Sequence, residues 1–258
     1  MDNKVILISI DGMRPDGLQK CGNPYVKQLE AMCAYSYTAS AVYPSVTFPC
    51  HFSMAHSVTP QRHGILSNTY VPQVRPVKGI FEKIADCGGV SAMFYGWEPL
   101  RDIAQPDTLR YAMYIHSYME ERVDTVLTDA AEKLIEAKKP DFVFLYLVDT
   151  DEKGGHDCGW MSEEYLRRIS IAIENVKRMI EKFGEEYTVI LMSDHGGHDR
   201  SHGTELEEDM RIPLFFRGPA FTPGKVLENI SLLDIAPTIA KIMGVPTEPE
   251  WEGRSLTE

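Results

Sequence analysis

The chain has 258 residues and carries 26 basic against 38 acidic side chains, a formal net charge of −12. Apolar residues make up 43% and charged residues 25%, which excludes disorder, collagen and coiled coil as whole-chain readings. No run reaches the ~18 apolar residues of a helical membrane span, and the acidic balance argues against long nucleic acid or an anionic membrane as partner. Five cysteines without a C-x-x-C pair, behind an N-terminus that does not read as a signal peptide, predict reduced thiols in the cytoplasm.

Apolar runs and amphipathic stretches alternate along the chain. Residues 5–10 form a short run rich in β-branched residues, predicted as a buried strand. A short helix with Pro at its start is expected at 24–32, and a second strand at 37–43, ending at Pro44. Residues 79–87 read as a helix closed by Gly88 and Gly89, and 91–95 as a strand. The helix at 121–138 places Val123, Val126, Leu127, Ala130, Leu134 and Ile135 at helical spacing and stops at Lys138-Lys139-Pro140. Residues 141–148, DFVFLYLV, are the strongest strand signal. A long helix at 163–183 has Ser162 as its cap, acidic residues in its first turn and Gly184 at its end. Strands at 187–192 and 212–216 follow, then a last helix at 232–243 ending at Gly244.

This alternation predicts an α/β fold, a three-layer sandwich with a mainly parallel central sheet covered by helices. One domain is expected over 1–258. The least regular stretches, 66–78 and 95–117, are rich in Pro, Tyr and Trp and suggest a small cap within 66–117.

Ligands of open α/β sheets bind beyond the carboxyl ends of the strands. Asp11 follows the first strand. Asp149, Asp151 and His156 follow the 141–148 strand. Asp194, His195, His198 and His202 follow the 187–192 strand. Carboxylates converging on one rim repel each other unless protons or cations intervene. Imidazoles beside them make an oxygen-and-nitrogen donor set that suits Zn²⁺ or Mn²⁺ better than Mg²⁺. The segment 43–51, Tyr-Pro-Ser-Val-Thr-Phe-Pro-Cys-His, opens a short helix whose N-terminus favours anions. Ser45, Thr47 and Cys50 are each candidate nucleophiles there. Trp97, Tyr95 and Tyr111 are candidates to stack on a substrate ring, and His198 to orient a ligand. His51, His56, His63 and His116 receive no role.

The ordered set Asp11-Gly-Met-Arg14, Thr47-Phe-Pro, Asp151…Gly155-His156, Asp194-His195-Gly196 and His202-Gly203 resembles the alkaline phosphatase superfamily. Arg62-His63-Gly64-Ile65, Ile212-Pro213…Gly218-Pro219 and 233–238 extend the resemblance, whose nearest branch is the nucleotide pyrophosphatase/phosphodiesterase type. It implies two divalent metal ions, zinc before manganese, and a small phosphorylated substrate. One ion would be held by Asp11, Thr47, Asp194 and His195, the other by Asp151, His156 and His202. Thr47 would be the nucleophile and pass through a phosphothreonine. Two dications against three carboxylates and one alkoxide leave the site near neutrality.

Three departures stand out. The branch spaces its middle Asp four residues before the His, whereas Asp151 lies five before His156 and Asp149 seven before. The extra glycine favours Asp151. The resemblance also implies an Asn three residues after Thr47 to bind a phosphate oxygen, where this chain has Cys50. The spacing from Asp194 to His202 is only eight residues, short for the branch. The reading is a metal-dependent phosphodiesterase. The alternatives are a phosphomonoesterase or phosphonate hydrolase on the same site, or a non-catalytic binder of a phosphorylated ligand. The C/S-x-P-x-R pattern of sulfatases is absent at Cys50.

Overall fold

The computed structural model describes Met1 and residues 3–258. Strand β1 (Lys4–Ile10) is followed by helices α1 (Pro15–Lys20) and α2 (Tyr25–Met32), strand β2 (Ala34–Ser40), and helices α3 (Thr47–His56), α4 (Pro60–His63) and α5 (Ile80–Asp86). Strands β3 (Ser91–Tyr95) and β4 (Tyr111–Tyr114), helix α6 (Val123–Lys138), strand β5 (Phe142–Leu147) and helix α7 (Glu163–Phe183) come next. The chain then forms β6 (Tyr187–Met192), α8 (Glu207–Met210), β7 (Arg211–Arg217) and α9 (Ile235–Met243).

The seven strands make one sheet in the order β2-β7-β6-β1-β5-β3-β4. Only β7 runs against its neighbours. Helices α1, α2, α6 and α7 cover one face, and α3, α5 and α9 the other. The central strands are buried on both sides, which is why 5–10 and 142–147 read as unbroken apolar runs rather than alternating ones. Helix α7 packs through Tyr165, Ile169, Ile173, Val176 and Ile180 at helical spacing, and its Ser162 cap accepts the Tyr165 N–H at 3.2 Å. The chain is therefore an α/β three-layer sandwich with a mainly parallel sheet.

Local departures have physical causes. The second strand lies earlier than 37–43, because its pairing with β7 runs from Ala34 to Ser40 and ends where Ala41 N–H turns to Met210 O. The helix expected from residue 232 starts at Ile235. Leu232–Asp234 forms a separate tight turn, in which Ser231 Oγ accepts Leu233 N–H and Asp234 Oδ2 accepts Ser231 N–H. Within the stretch expected to be irregular, Tyr111–Tyr114 pairs in parallel with β3 and extends the sheet edge.

The register places the chemistry. Ile10 lies opposite Leu147, and Ser9 opposite Met192. The residues that follow β1, β5 and β6 therefore leave the sheet side by side on one rim.

Candidate active site

Asp11 and Gly12 follow β1 at this rim. Gly12 adopts φ +62°, and a Cβ there would stand 2.7 Å from Asp151 Oδ1, so only glycine lets these two segments meet. After β5 the backbone winds through a wide turn, Thr150–His156, in which Gly154 N–H reaches back five residues to Asp149 O. This π-type turn absorbs the extra residue between Asp151 and His156. Their side chains meet, with His156 Nε2 3.3 Å from Asp151 Oδ2. After β6, Asp194 accepts the Gly12 N–H at 3.2 Å, and the following loop brings back His202. Thr47 is the first residue of α3, so its hydroxyl faces the rim from the opposite helical layer.

The structure brings all seven expected ligand residues to one place. His195 Nε2 is 3.1 Å from Thr47 Oγ1 and 3.3 Å from both Asp11 Oδ1 and Asp194 Oδ2. His202 Nε2 is 4.0 Å from Asp151 Oδ1. Ligand atoms of Asp11, Asp194 and His195 lie within 4.8 Å of one another, as do those of Asp151, His195 and His202. Each imidazole is oriented by a backbone carbonyl, which can only accept. Nδ1–H of His195 donates to Gly196 O, of His156 to Arg200 O, and of His202 to Ser45 O, at 2.7–3.0 Å. All three Nε2 atoms are thereby turned toward the centre.

Three carboxylate oxygens, Asp11 Oδ1, Asp151 Oδ1 and Asp194 Oδ2, are buried without a hydrogen-bond partner. Such atoms are costly to leave unpaired. Burial, then repulsion from Asp194 and Asp151, holds the Asp11 carboxyl well above the ordinary range. Burial, then Asp151, pushes Asp194 up to about 8. Burial also penalises the Asp151 charge, yet the hydrogen bond from His156 holds its pKa below the usual value. The same bond raises His156 to about 9. Burial keeps His195 neutral. Orphaned oxygens, oriented imidazole nitrogens and a hydroxyl form a donor set that fits divalent cations of the zinc or manganese type.

The centre opens into a cavity of about 60 Å³ lined by Asp11, Thr47, Asn68, Trp97, Tyr146, Asp151, Glu152, His156 and His202. Asp149 stands outside it. Lys153 lies 2.8 Å and Arg168 3.3 Å from its carboxylate, which commits it to ion pairs. Of the three aromatic candidates only Trp97 reaches the cavity. Tyr95 stacks on Tyr114 at 5.3 Å, and Tyr111 packs against the core.

Cys50 does not occupy an oxyanion position. It is fully buried, and its thiol points to the carbonyls of Val42 and Pro44 at 3.8 Å. Asn68, which the sequence reading missed, lines the cavity instead. Its Oδ1 accepts the Phe48 N–H at 3.0 Å, leaving its amide N–H groups for the cavity. Tyr146 donates to Asp11 Oδ2 from β5 and was also missed. His51, given no role, lies beneath the centre. Its Nδ1 is 2.8 Å from Thr47 O and 3.3 Å from Asp194 Oδ2, and its Nε2 is 3.0 Å from Ser9 Oγ. Its place four residues after Thr47 on α3 was the available signal.

The sequence profile of the type I phosphodiesterase / nucleotide pyrophosphatase family matches residues 5–220. Bovine ectonucleotide pyrophosphatase/phosphodiesterase family member 3 is 27% identical over 228 residues, covering 79% of this chain and 26% of that protein. Human family member 1 is 28% identical over 219 residues, covering 74% of this chain and 23% of that protein. The chain spans about a quarter of the length of these curated relatives. Murine ectonucleotide pyrophosphatase/phosphodiesterase 5, solved as an inactive variant with AMP, superposes with a TM-score of 0.81 at 16% identity, covering 96% of each chain. The phosphonate monoester hydrolase of Silicibacter pomeroyi gives 0.75 at 16% identity, covering 98% of this chain and 76% of that one. With its rim of carboxylates and imidazoles on an alkaline phosphatase-like sheet, the chain belongs to the type I phosphodiesterase / nucleotide pyrophosphatase family.

Proposed function

We propose that this chain hydrolyses phosphoric diesters of small substrates, nucleotide derivatives among them, with Thr47 as nucleophile and two divalent cations, zinc before manganese. Asp11, Thr47, Asp194 and His195 would hold one cation, and Asp151, His156 and His202 the other. The observation that carries the proposal is the trio of buried, partnerless carboxylate oxygens facing the Thr47 hydroxyl and three oriented Nε2 atoms. When bound, the cations would lower the hydroxyl pKa of Thr47 and offset the phosphoryl charge.

The chain's own residues supply the rest. Thr47 Oγ1 gives its proton to solvent and attacks phosphorus, the P–O ester bond breaks and the alcohol leaves with a proton from water. A second water then cleaves the Oγ1–P bond, which restores the Thr47 hydroxyl and releases a phosphomonoester. The Asn68 amide N–H groups would donate toward a phosphate oxygen. Trp97 and Glu152 border the space for the departing group. The cavity is small enough to take a phosphoryl group while leaving the remainder of the substrate at the rim. No Lys or Arg lines it among the described residues. Arg62 is committed to Glu250 and the Arg75 carbonyl. A monoester dianion lacks a side-chain cation here, which favours the diester.

Residues 1–258 would act as a single catalytic domain, with 66–117 as its cap through Asn68 and Trp97. The five free cysteines support a reducing, cytoplasmic setting. The direct test is Thr47→Ala in metal-loaded protein given a ³²P-labelled diester and quenched in acid. Wild type is expected to carry label on Thr47 and the variant none, with turnover lost. Undiminished turnover in the variant would overturn the nucleophile.

A further inference from the structure

His195 and His202 enter the centre from one loop. Their rings stack at 3.9 Å between centroids, 13° from parallel. Within that loop only His198 N–H to Ser201 O and its reciprocal, both 2.9 Å, form a backbone pair. The loop is closed from outside by a residue of α8. Asp209 is fully buried. Its Oδ1 accepts from His198 Nδ1 at 2.7 Å. Its Oδ2 accepts from Thr204 N–H at 2.9 Å and from Thr204 Oγ1 at 2.7 Å. Its carbonyl accepts the Gly196 N–H at 2.8 Å, one residue after His195. Thr204 O in turn accepts from Ser45 Oγ at 2.7 Å, and Ser45 O holds His202 Nδ1 at 2.9 Å. A Cβ at Gly196 would collide with Glu208 O, so the loop lies directly on the α8 backbone one residue before Asp209.

We propose that Asp209 is a positioning residue that fixes the separation of His195 and His202, and hence the two-cation geometry. The inference rests on the metal reading above. The carboxylate ties the middle of the loop at His198 to the chain after His202 at Thr204, and the backbone carbonyl of the same residue holds Gly196 beside His195. Asp209 touches neither cation nor substrate and acts only through the loop. Loss of a group that orients metal ligands typically weakens metal affinity about 10–100-fold.

The test compares Asp209→Ala, Asp209→Asn and His198→Ala with wild type. Zinc affinity and stoichiometry are read by calorimetry, and the unfolding temperature is read on the metal-free proteins. Asn keeps an acceptor for Thr204, so it is the conservative variant. Asp209→Ala is expected to weaken zinc binding about 10–100-fold. Asp209→Asn should recover most of that loss, and His198→Ala should lose least. Zinc affinity at the wild-type level in folded Asp209→Ala, with only the metal-free unfolding temperature lowered, would show a merely structural carboxylate and overturn the proposal. If Asp209→Ala fails to fold, Asp209→Asn and His198→Ala decide it. Wild-type affinity in both would overturn the proposal, and graded weakening in both would support it. Failure of wild type to bind zinc would overturn the metal reading instead.

Discussion

Loading the centre with zinc at pH 7 should release protons, and the number can be worked from the structure. Without metal, burial and mutual repulsion hold Asp11 well above the carboxylate range and Asp194 at about 8. The Asp151 hydrogen bond holds His156 at about 9. At pH 7 a group with a pKa near 8 is about 90% protonated and one near 9 about 99%, and metal binding requires all three to be deprotonated. Filling both positions therefore expels about two protons per chain from Asp194 and His156, and the raised Asp11 carboxyl acts in the same direction. The overall binding constant should fall by about two decades for each pH unit lowered through this range. The assay is calorimetry of zinc binding at pH 7 in buffers of different ionisation enthalpy, where the slope of the observed enthalpy gives the proton count. Fewer than about one proton released would refute the reasoning, because exposed acidic groups are already ionised at that pH.

Further outcomes follow from other parts of the molecule. Burial lowers His56 to about 3 and His63 to about 4, from 6.5 unfolded. Below pH 6.5 each of these histidines binds a proton in the unfolded chain before it does in the folded one, so its contribution to stability falls as pH drops toward 4, by about 2 kcal/mol per histidine at pH 5. Urea melts of metal-free wild type and His63→Gln at pH 7 and pH 5 isolate this loss, because the opposing gain from the raised Asp11 and Asp194 carboxyls is common to both, and an identical pH dependence in the two would contradict it. Asn68→Ala should lower kcat for a diester by about 10²-fold while zinc stoichiometry stays at wild-type level. An unchanged kcat would remove Asn68 from the reaction. Phe144 is fully buried in the central strand, so Phe144→Ala should cost about 3–5 kcal/mol in denaturant melts.

The parts of the fold readable in the sequence were those with a strong local signal. Strands β1, β5 and β6 show as apolar runs because both faces of the central sheet are covered, and α7 shows because its apolar stripe repeats over 21 residues. Asp11, Asp194 and His195 were legible because they directly follow such strands. What stayed hidden depends on distant contacts. Tyr111–Tyr114 is too short to declare itself and exists through pairing with β3. Choosing Asp151 over Asp149 rested on spacing alone, whereas the structure separates them through a π-type turn and the ion pairs of Asp149 with Lys153 and Arg168. Asn68 sits in a stretch without periodicity, and its partner Phe48 is remote in sequence. Cys50 drew attention by its place near Thr47, yet helical geometry turns it into the core. Asp209 gave no local sign, because its contacts with Gly196, His198 and Thr204 lie across a loop.

The central claim is a two-cation phosphodiesterase centre built on Thr47. Its most direct measurement pairs elemental analysis of zinc-loaded protein with turnover of bis-p-nitrophenyl phosphate and p-nitrophenyl phosphate. The expected result is about two zinc ions per chain, as in other two-metal hydrolases, and faster hydrolysis of the diester. Absence of tightly bound metal after reloading, with neither ester turned over, would contradict the convergence of Asp11, Asp151, Asp194, His156, His195 and His202 as a metal centre.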